Sequence, residues 1–194
     1  MKPSKGLFLA LLGLSLAWPK RSGAAEALAS SSAAAHPSVR VIIWPALPLL
    51  LAHRMIDKYG PPDEVYADRL IWRPHWPWKR IVVSSASPSA PLEQVVDYRV
   101  PPGKLPALAG FSRGLVVYAE QGELAARGDR EEVNRLSLNL ADDIVAGRVS
   151  PQEARRFFQR VMQLSTAGKS SPYLQRLLFK KLPAQSPPSR MERF

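Results

Sequence analysis

Three tryptophans, Trp72, Trp76 and Trp78, stand close together and are interleaved with Arg69, Arg73, Lys79 and Arg80. The faces of aromatic rings attract guanidinium and ammonium groups. A partly exposed cluster of this kind can serve as a platform for a sugar, a peptide or a lipid headgroup. The competing use is burial, with the rings anchoring a small sheet against a helix. Trp72, Trp76, Trp78 and Arg73 are therefore the first candidate binding residues.

The second candidate group lies in the C-terminal quarter. Residues 148–194 carry ten Lys and Arg against two acids, residues 25–147 carry 13 against 14, and residues 1–24 carry four against none. The formal charge of +11 is thus a property of the two ends, and such asymmetry marks an interaction segment more than a fold. Arg155, Arg156 and Arg160 fall opposite Ala154, Phe157, Phe158, Val161 and Met162 on a predicted helix, with the apolar side expected to dock on the body. Together with Arg176, Lys180 and Lys181 they could meet an anionic membrane surface or an acidic partner. A solvated helix face is the plain alternative.

Signals for catalysis are sparse. His36, His53 and His75 contain no compact pair of the spacing that zinc sites use. Asp142 and Asp143 are neighbours on a predicted helix and point about 100° apart, so they are no matched acid and base. A solvated face or an ion pair with Arg148 accounts for them. Asp63 and Glu64 most simply finish the turn after Pro62. There is no G-x-S-x-G, glycine-rich phosphate loop or HExxH, and no cysteine for thiol or disulfide chemistry. The sequence therefore implies a non-catalytic protein with no cofactor and no metal. A hydrolase of unrecognised type is the remaining enzymatic reading, since triads are defined by geometry and not by sequence order.

The N-terminus has the order of a secretory signal peptide: Lys2 and Lys5, an uncharged apolar run from Gly6 to Trp18, then small residues. The run is too short for a bilayer, which takes roughly 20 residues. Export is expected, with residues 1–24 as the signal peptide and cleavage between 24 and 29. For an exported chain nucleic acid is a disfavoured partner.

These candidates must be positioned by the elements between them. Residues 25–38 read as an Ala/Ser spacer, and Val39 to Trp44 as a short strand or extended lead-in. A helix follows from Pro45 to Tyr59, ended by Gly60 and Pro61-Pro62. Strands are predicted over Tyr66 to Arg73, Trp78 to Ser85 and Leu92 to Val100, the last with Glu93, Asp97 and Arg99 facing solvent. A helical turn near Leu105 to Ala109 and a hairpin from Leu115 to Arg127 come next. Asp129 and Glu132 suggest a capping box opening a helix to Ala146, with Val133, Leu136, Leu140, Ala141, Ile144 and Val145 on one face. Ser150, Pro151 and Glu153 signal a second helix more strongly. Ser171-Pro172 opens a last one to Leu182, before a disordered tail at 183–194.

Met55 to Trp72 contains K-Y-G-P-P-D-E-V and ends in Trp. This stretch, under a tenth of the chain, resembles the small bacterial envelope domains of the SmpA/OmlA (BamE-like) family; the C-terminal helices have no counterpart there, and the rest of the chain resembles an exported bacterial protein in general. The resemblance implies a helix that ends in a Gly-x-Pro turn before the first strand of an antiparallel sheet. It transfers no site residues, and the family's lipidated cysteine has no counterpart here. The expected fold is α+β: an N-terminal helix, an antiparallel sheet of about four or five strands, and two or three C-terminal helices, in a domain at 39–147 followed by basic helices at 148–182. The expected role is binding of an envelope protein through the sheet and its aromatic turn. The alternative is a module that sits on a membrane surface through its basic helices.

Overall fold

The computed structural model describes residues 44–179. The expected signal peptide, the spacer, residues 39–43, Lys180, Lys181 and the C-terminal tail lie outside the described residues. The fold is α+β. Helix α1 (Ala46–Tyr59) precedes strands β1 (Glu64–Val65), β2 (Arg69–Trp72), β3 (Arg80–Ser84) and β4 (Leu92–Asp97). A 3-10 turn leads into α2 (Leu105–Phe111), the hairpin β5 (Leu115–Tyr118) and β6 (Glu123–Gly128). Helices α3 (Glu131–Val145), α4 (Pro151–Thr166) and α5 (Pro172–Gln175) complete it. No described helix is long and apolar enough to cross a membrane.

The sheet has six antiparallel strands in the order β1-β2-β3-β4-β6-β5, one more than the largest expected number. The extra strand is β1, Glu64–Val65, which the sequence places in the turn after Pro62; the predicted run Tyr66 to Arg73 contributes only β2. Between them the chain folds back at Ala67-Asp68, where the Tyr66 N–H donates to Arg69 O at 2.9 Å. The Asp68 carbonyl is held by Ser84 and Ser85, and the Ala67 carbonyl by the Trp44 indole.

Helix α1 ends as its sequence requires. The Gly60 N–H donates to Ile56 O at 2.8 Å with φ at 81°, a left-handed value that resists a Cβ. The two prolines that follow cannot continue a helix. Leu51, Ala52 and Met55 of α1 are buried against the sheet face that carries Leu70, Trp72, Ile81 and Val83.

Strand β4 corrects the expected alternation. Five of its six residues are buried. Gln94 points to the helices with no exposure at all, and Glu93 on the opposite face is only 8% exposed. Glu93 is covered because Arg127 Nε reaches it at 2.5 Å and the Tyr118 hydroxyl at 3.2 Å. Glu123, on the same face at the other end of the β4-β6 pairing, opposite Asp97, takes Lys79 at 2.9 Å and Arg80 at 3.2 Å.

Helix α3 is also more enclosed than its pattern implied. Leu138 and Asn139 are buried off the predicted face, while Val133 is only half-buried, because α3 packs on the sheet, α2, α4 and α5 together. The expected Asp129 capping box does not form; Arg130 is the N-cap without a side-chain bond. The first turn is instead fixed by Glu131, which accepts from Lys58, from the Tyr59 hydroxyl at 2.6 Å, from Gln94 Nε2 at 2.6 Å and from Arg135 at 3.2 Å. The box at Ser150 does form, with Glu153 bonding back to the Ser150 N–H at 2.8 Å.

Gly60 and Gly114 both have positive φ, but a Cβ on Gly60 meets nothing within 4 Å, whereas one on Gly114 falls 2.1 Å from Arg127 O. Gly60→Ala should cost about 1–2 kcal/mol and Gly114→Ala clearly more, about 3 kcal/mol. Urea titration of the two variants checks the ranking, and equal costs would contradict it. Burial pushes the Glu131 carboxyl up, but the hydrogen bonds from Lys58 and Tyr59 and the charges of Arg135 and Lys58 outweigh it and hold the group below 4.5. Its stabilisation is therefore complete above the ordinary carboxylate range and is lost as pH falls through the lower folded value. Glu131→Gln should cost about 3 kcal/mol near neutrality, at the low end for a buried pair because Lys58 is half exposed. It should also show a shallower loss of stability toward acid than the native protein.

Candidate ligand-binding cleft

Between β2 and β3, His75 and Trp78 pair as a two-residue bridge. The Trp78 N–H donates to His75 O at 2.6 Å, and the His75 N–H to Trp78 O at 3.0 Å. Trp76 and Pro77 form the tip, joined by a cis peptide bond. Trp72 and Trp78 turn inward and are fully buried. Their indoles find partners there, as buried indoles must: Trp72 Nε1 donates to Gly60 O at 2.9 Å and Trp78 Nε1 to the Tyr59 hydroxyl at 3.1 Å. Trp76 turns outward and is 85% exposed. The reading of all three rings as an exposed platform is thus corrected: two anchor the corner between α1 and the sheet, as the burial alternative had it, and only Trp76 faces solvent.

Facing this tip is the segment after α4. The sequence predicts a helix to Leu182, but α5 is a single turn and the chain is extended from Arg176. Helix α3 supplies the reason. Asn139 Nδ2 donates to the carbonyls of Tyr173 at 3.0 Å and Arg176 at 2.9 Å, and Asn139 Oδ1 accepts from the Leu178 N–H at 2.8 Å. One buried side chain thereby satisfies three backbone groups that a continuing helix would have used itself. Arg135 adds a contact to Leu174 O at 3.4 Å. The Tyr173 hydroxyl donates to Asp143 at 2.8 Å, and Tyr98 donates to Asp142 at 2.8 Å. Arg148 bridges both carboxylates, reaching Asp143 at 2.7 Å, so the expected ion pair is present and the two acids serve as a clamp. Burial first, then the hydrogen bond to Asp143, pushes the Tyr173 phenol up to about 12. Tyr98 is pushed up further by burial and Asp142.

The tip and the tethered segment enclose a cleft of about 290 Å3. Pro77, Val96, Leu177 and Phe179 give it an apolar lining, with the Trp76 ring at its edge and Arg135 and Arg176 as its cations. The Arg135 guanidinium is committed to Glu131 and to the chain, whereas Arg176 is exposed and makes no ion pair among the described residues. No carboxylate or imidazole lines the cleft, so it holds no acid-base pair. It can take an apolar side chain and a neighbouring negative charge at the same time.

The other candidates are dispersed. Arg73 lies on the far face of the sheet, bound to Glu64 at 2.8 Å. Arg155 reaches the Gly110 carbonyl, while Arg156 and Arg160 stand in solvent on α4. Phe158 and Val161 dock as expected, but Phe157 does not: it is 38% exposed and touches the Tyr173 ring at 5.0 Å. Of the predicted residues the cleft unites Trp76 and Arg176. Sequence reasoning missed Arg135 and Asn139, which read as polar residues of an ordinary helix. The one available signal was the interruption of the apolar pattern of α3 by Asn134, Ser137 and Asn139. Comparison with known family models, curated proteins and solved structures returned no match to this chain.

Removing the tether should loosen one wall selectively. Asn139→Ala is expected to raise amide hydrogen exchange at Tyr173 to Phe179 by tenfold or more while β3 and β4 keep their protection. Unchanged protection would show that the segment does not depend on Asn139. A raised phenol stabilises below its ordinary value of 10.0 and loses that contribution as pH climbs toward about 12. The same segment should therefore exchange faster above about pH 10 than base catalysis alone explains, an excess that Tyr173→Phe should remove.

Proposed function

We propose that this chain is a non-catalytic binding protein of the bacterial envelope that holds an acidic, apolar segment of a partner protein between the Trp76 tip and the C-terminal segment. The observation that carries this reading is the exposure of Trp76, at 85%, beside a mainly apolar cleft with Arg176, which has no ion pair among the described residues, at its rim. A large ring left in water on a soluble surface loses the burial that other tryptophans obtain, and Trp and Arg are the side chains that most often dominate binding surfaces. The placement in the envelope rests on the charged, apolar and small-residue order of the N-terminus and on the resemblance at Met55 to Trp72.

A second reading has its own observation. On α4, Phe157 and Leu164 are 38% and 41% exposed, seven positions apart and so on one face, and Arg156 and Arg160 flank them. That is the layout of a helix lying on an anionic membrane surface. The two readings separate by salt and lipid charge, since headgroup attraction is screened over about 8 Å at physiological ionic strength.

Selection of displayed random peptides on the protein should enrich sequences that pair an aromatic or aliphatic residue with Asp or Glu. Trp76→Ala and Arg176→Gln should each weaken the best peptide about tenfold or more, with Arg54→Gln on the outside of α1 neutral. Peptides indifferent to Trp76 would remove the cleft from consideration. Co-sedimentation with anionic but not neutral vesicles, abolished by salt and by Arg156→Gln/Arg160→Gln, would favour the second reading instead.

A further inference from the structure

One face of the sheet carries the helices, and the opposite face has a groove of its own. Alternation along the strands sends Leu70, Trp72, Ile81 and Val83 into the core and leaves Arg69, Ile71, Arg80 and Val82 on the other side. A cavity of about 430 Å3 lies there, and all six strands contribute to it, from Glu64 of β1 to Tyr118 of β5. Ligand sites have this size, roughly 300–1,000 Å3, but most are apolar. Two tyrosines, two glutamates and four arginines dominate this one. An apolar occupant would strip water from these groups without replacing its hydrogen bonds, which is costly.

The polar groups form the same unit twice. At one end the Tyr66 hydroxyl donates to Glu64 at 2.8 Å, Arg73 Nε reaches the same carboxylate at 2.8 Å, and the Arg69 guanidinium lies 4.8 Å from the centre of the Tyr66 ring. At the other end the Tyr118 hydroxyl donates to Glu93 at 3.2 Å, Arg127 Nε reaches Glu93 at 2.5 Å, and the Arg80 guanidinium lies 5.8 Å from the centre of the Tyr118 ring. Every arginine of the groove is matched by an acid, Arg69 by Asp68 at 3.9 Å and Arg80 by Glu123 at 3.2 Å. With its charges balanced, the groove attracts neither a polyanion nor a polycation.

Hydrogen bonding is what the groove still offers. Arg73 is held through Nε and keeps both Nη groups as donors; Arg127 keeps Nη1, its Nη2 reaching the Tyr118 hydroxyl at 3.4 Å. Each stands beside a carboxylate with acceptor sites to spare. Such donor and acceptor pairs suit a ligand hydroxyl, which gives and accepts at one atom. Their ion pairs orient them in advance, which lowers the cost of ordering them on binding. The Tyr66 ring, 44% exposed, adds an apolar surface. A ring dense in hydroxyls with an apolar face is a sugar, and a lining drawn from every strand suits several linked rings.

We propose that this groove binds a neutral oligosaccharide chain. The Trp76 cleft lies on the helix side, with Val96 and Arg135, so the groove does not rest on the reading of that cleft.

The test is saturation-transfer NMR of the whole protein with cellohexaose, maltohexaose, chitohexaose and mannohexaose, and with a heparin hexasaccharide as the anionic comparison. At least one neutral sugar should bind, with an affinity that salt does not change. Tyr66→Ala and Arg73→Ala should each weaken it tenfold or more, whereas Trp76→Ala and Arg54→Gln should leave it unchanged. Tyr66 and Arg73 are both exposed, so their variants should keep the native urea midpoint, and that measurement separates lost binding from lost folding. If none of the four neutral sugars binds, the proposal is overturned. Binding of heparin alone, falling as salt rises, overturns it too, because it marks a cationic surface. Sugar binding that Trp76→Ala removes and Tyr66→Ala spares belongs to the cleft and equally rejects the groove.

Discussion

Helix α3 carries an unusual load of buried polar side chains, and each of them is satisfied by a different part of the chain. Glu131 holds α1 through Lys58 and Tyr59. Asn134 holds β4 through Leu92 O at 3.0 Å and Gln94 at 3.2 Å. Ser137 holds the turn before β5, and Asn139 holds the segment after α5. A buried polar group without a partner costs about 1–3 kcal/mol, so α3 can be buried only when all four segments are in place. Apolar contact alone tolerates sliding; these bonds do not. The exception is instructive. Asn134 Oδ1 has no partner, yet the amide cannot be turned, because both of its Nδ2 acceptors are oxygens. The lone oxygen faces Gly128, where a Cβ would come within 2.6 Å. Glycine at that place gives the amide its room.

This arrangement explains what the sequence could and could not tell. Interruptions and caps are local, and most were legible: Gly60 with its prolines, Ser150-Pro151-Glu153, and the hairpin before Gly128 all fall where turn chemistry puts them, whereas the box expected at Asp129 gives way to the tertiary bonds of Glu131. The α+β class was legible for the same reason. Faces were less so. Glu93 and Gln94 stand next to each other on β4, and a period-two pattern assigns one of them to water. Both are buried because partners distant in sequence, Arg127 on one face and Glu131 with Asn134 on the other, come to meet them. Polar residues that end up inside cannot be distinguished by periodicity from polar residues that stay outside.

The candidate cleft was half legible for a related reason. Trp76 sits at a turn tip, between His75 and Pro77, and that position rather than alternation sets it apart, since positions 72, 76 and 78 share one parity and a strand pattern would put all three rings on one face. The opposite wall was not legible. Ser171-Pro172 is a sound helix start, and Leu174, Leu177 and Leu178 continue a helical spacing. The helix stops after one turn because Asn139 offers its backbone better-placed partners, a tertiary contact over more than thirty positions of sequence. Helix starts are local chemistry, whereas helix lengths are settled by what the chain packs against.

The distribution of cations follows from the same competition for partners. Arg127, Lys79 and Arg80 lie on the sheet face and are matched to Glu93, Asp97 and Glu123, and Arg148 is spent on Asp142 and Asp143. These pairs hold structure and leave little field behind. Arg156, Arg160 and Arg176 have no such partners among the described residues and face solvent. Among the described residues, these three cations mark two surfaces, the outer side of α4 and the rim of the cleft. Tyr173 touches Phe157 of α4 on one side and leads through a short turn to Arg176 on the other, so an aromatic contact lies between the two surfaces.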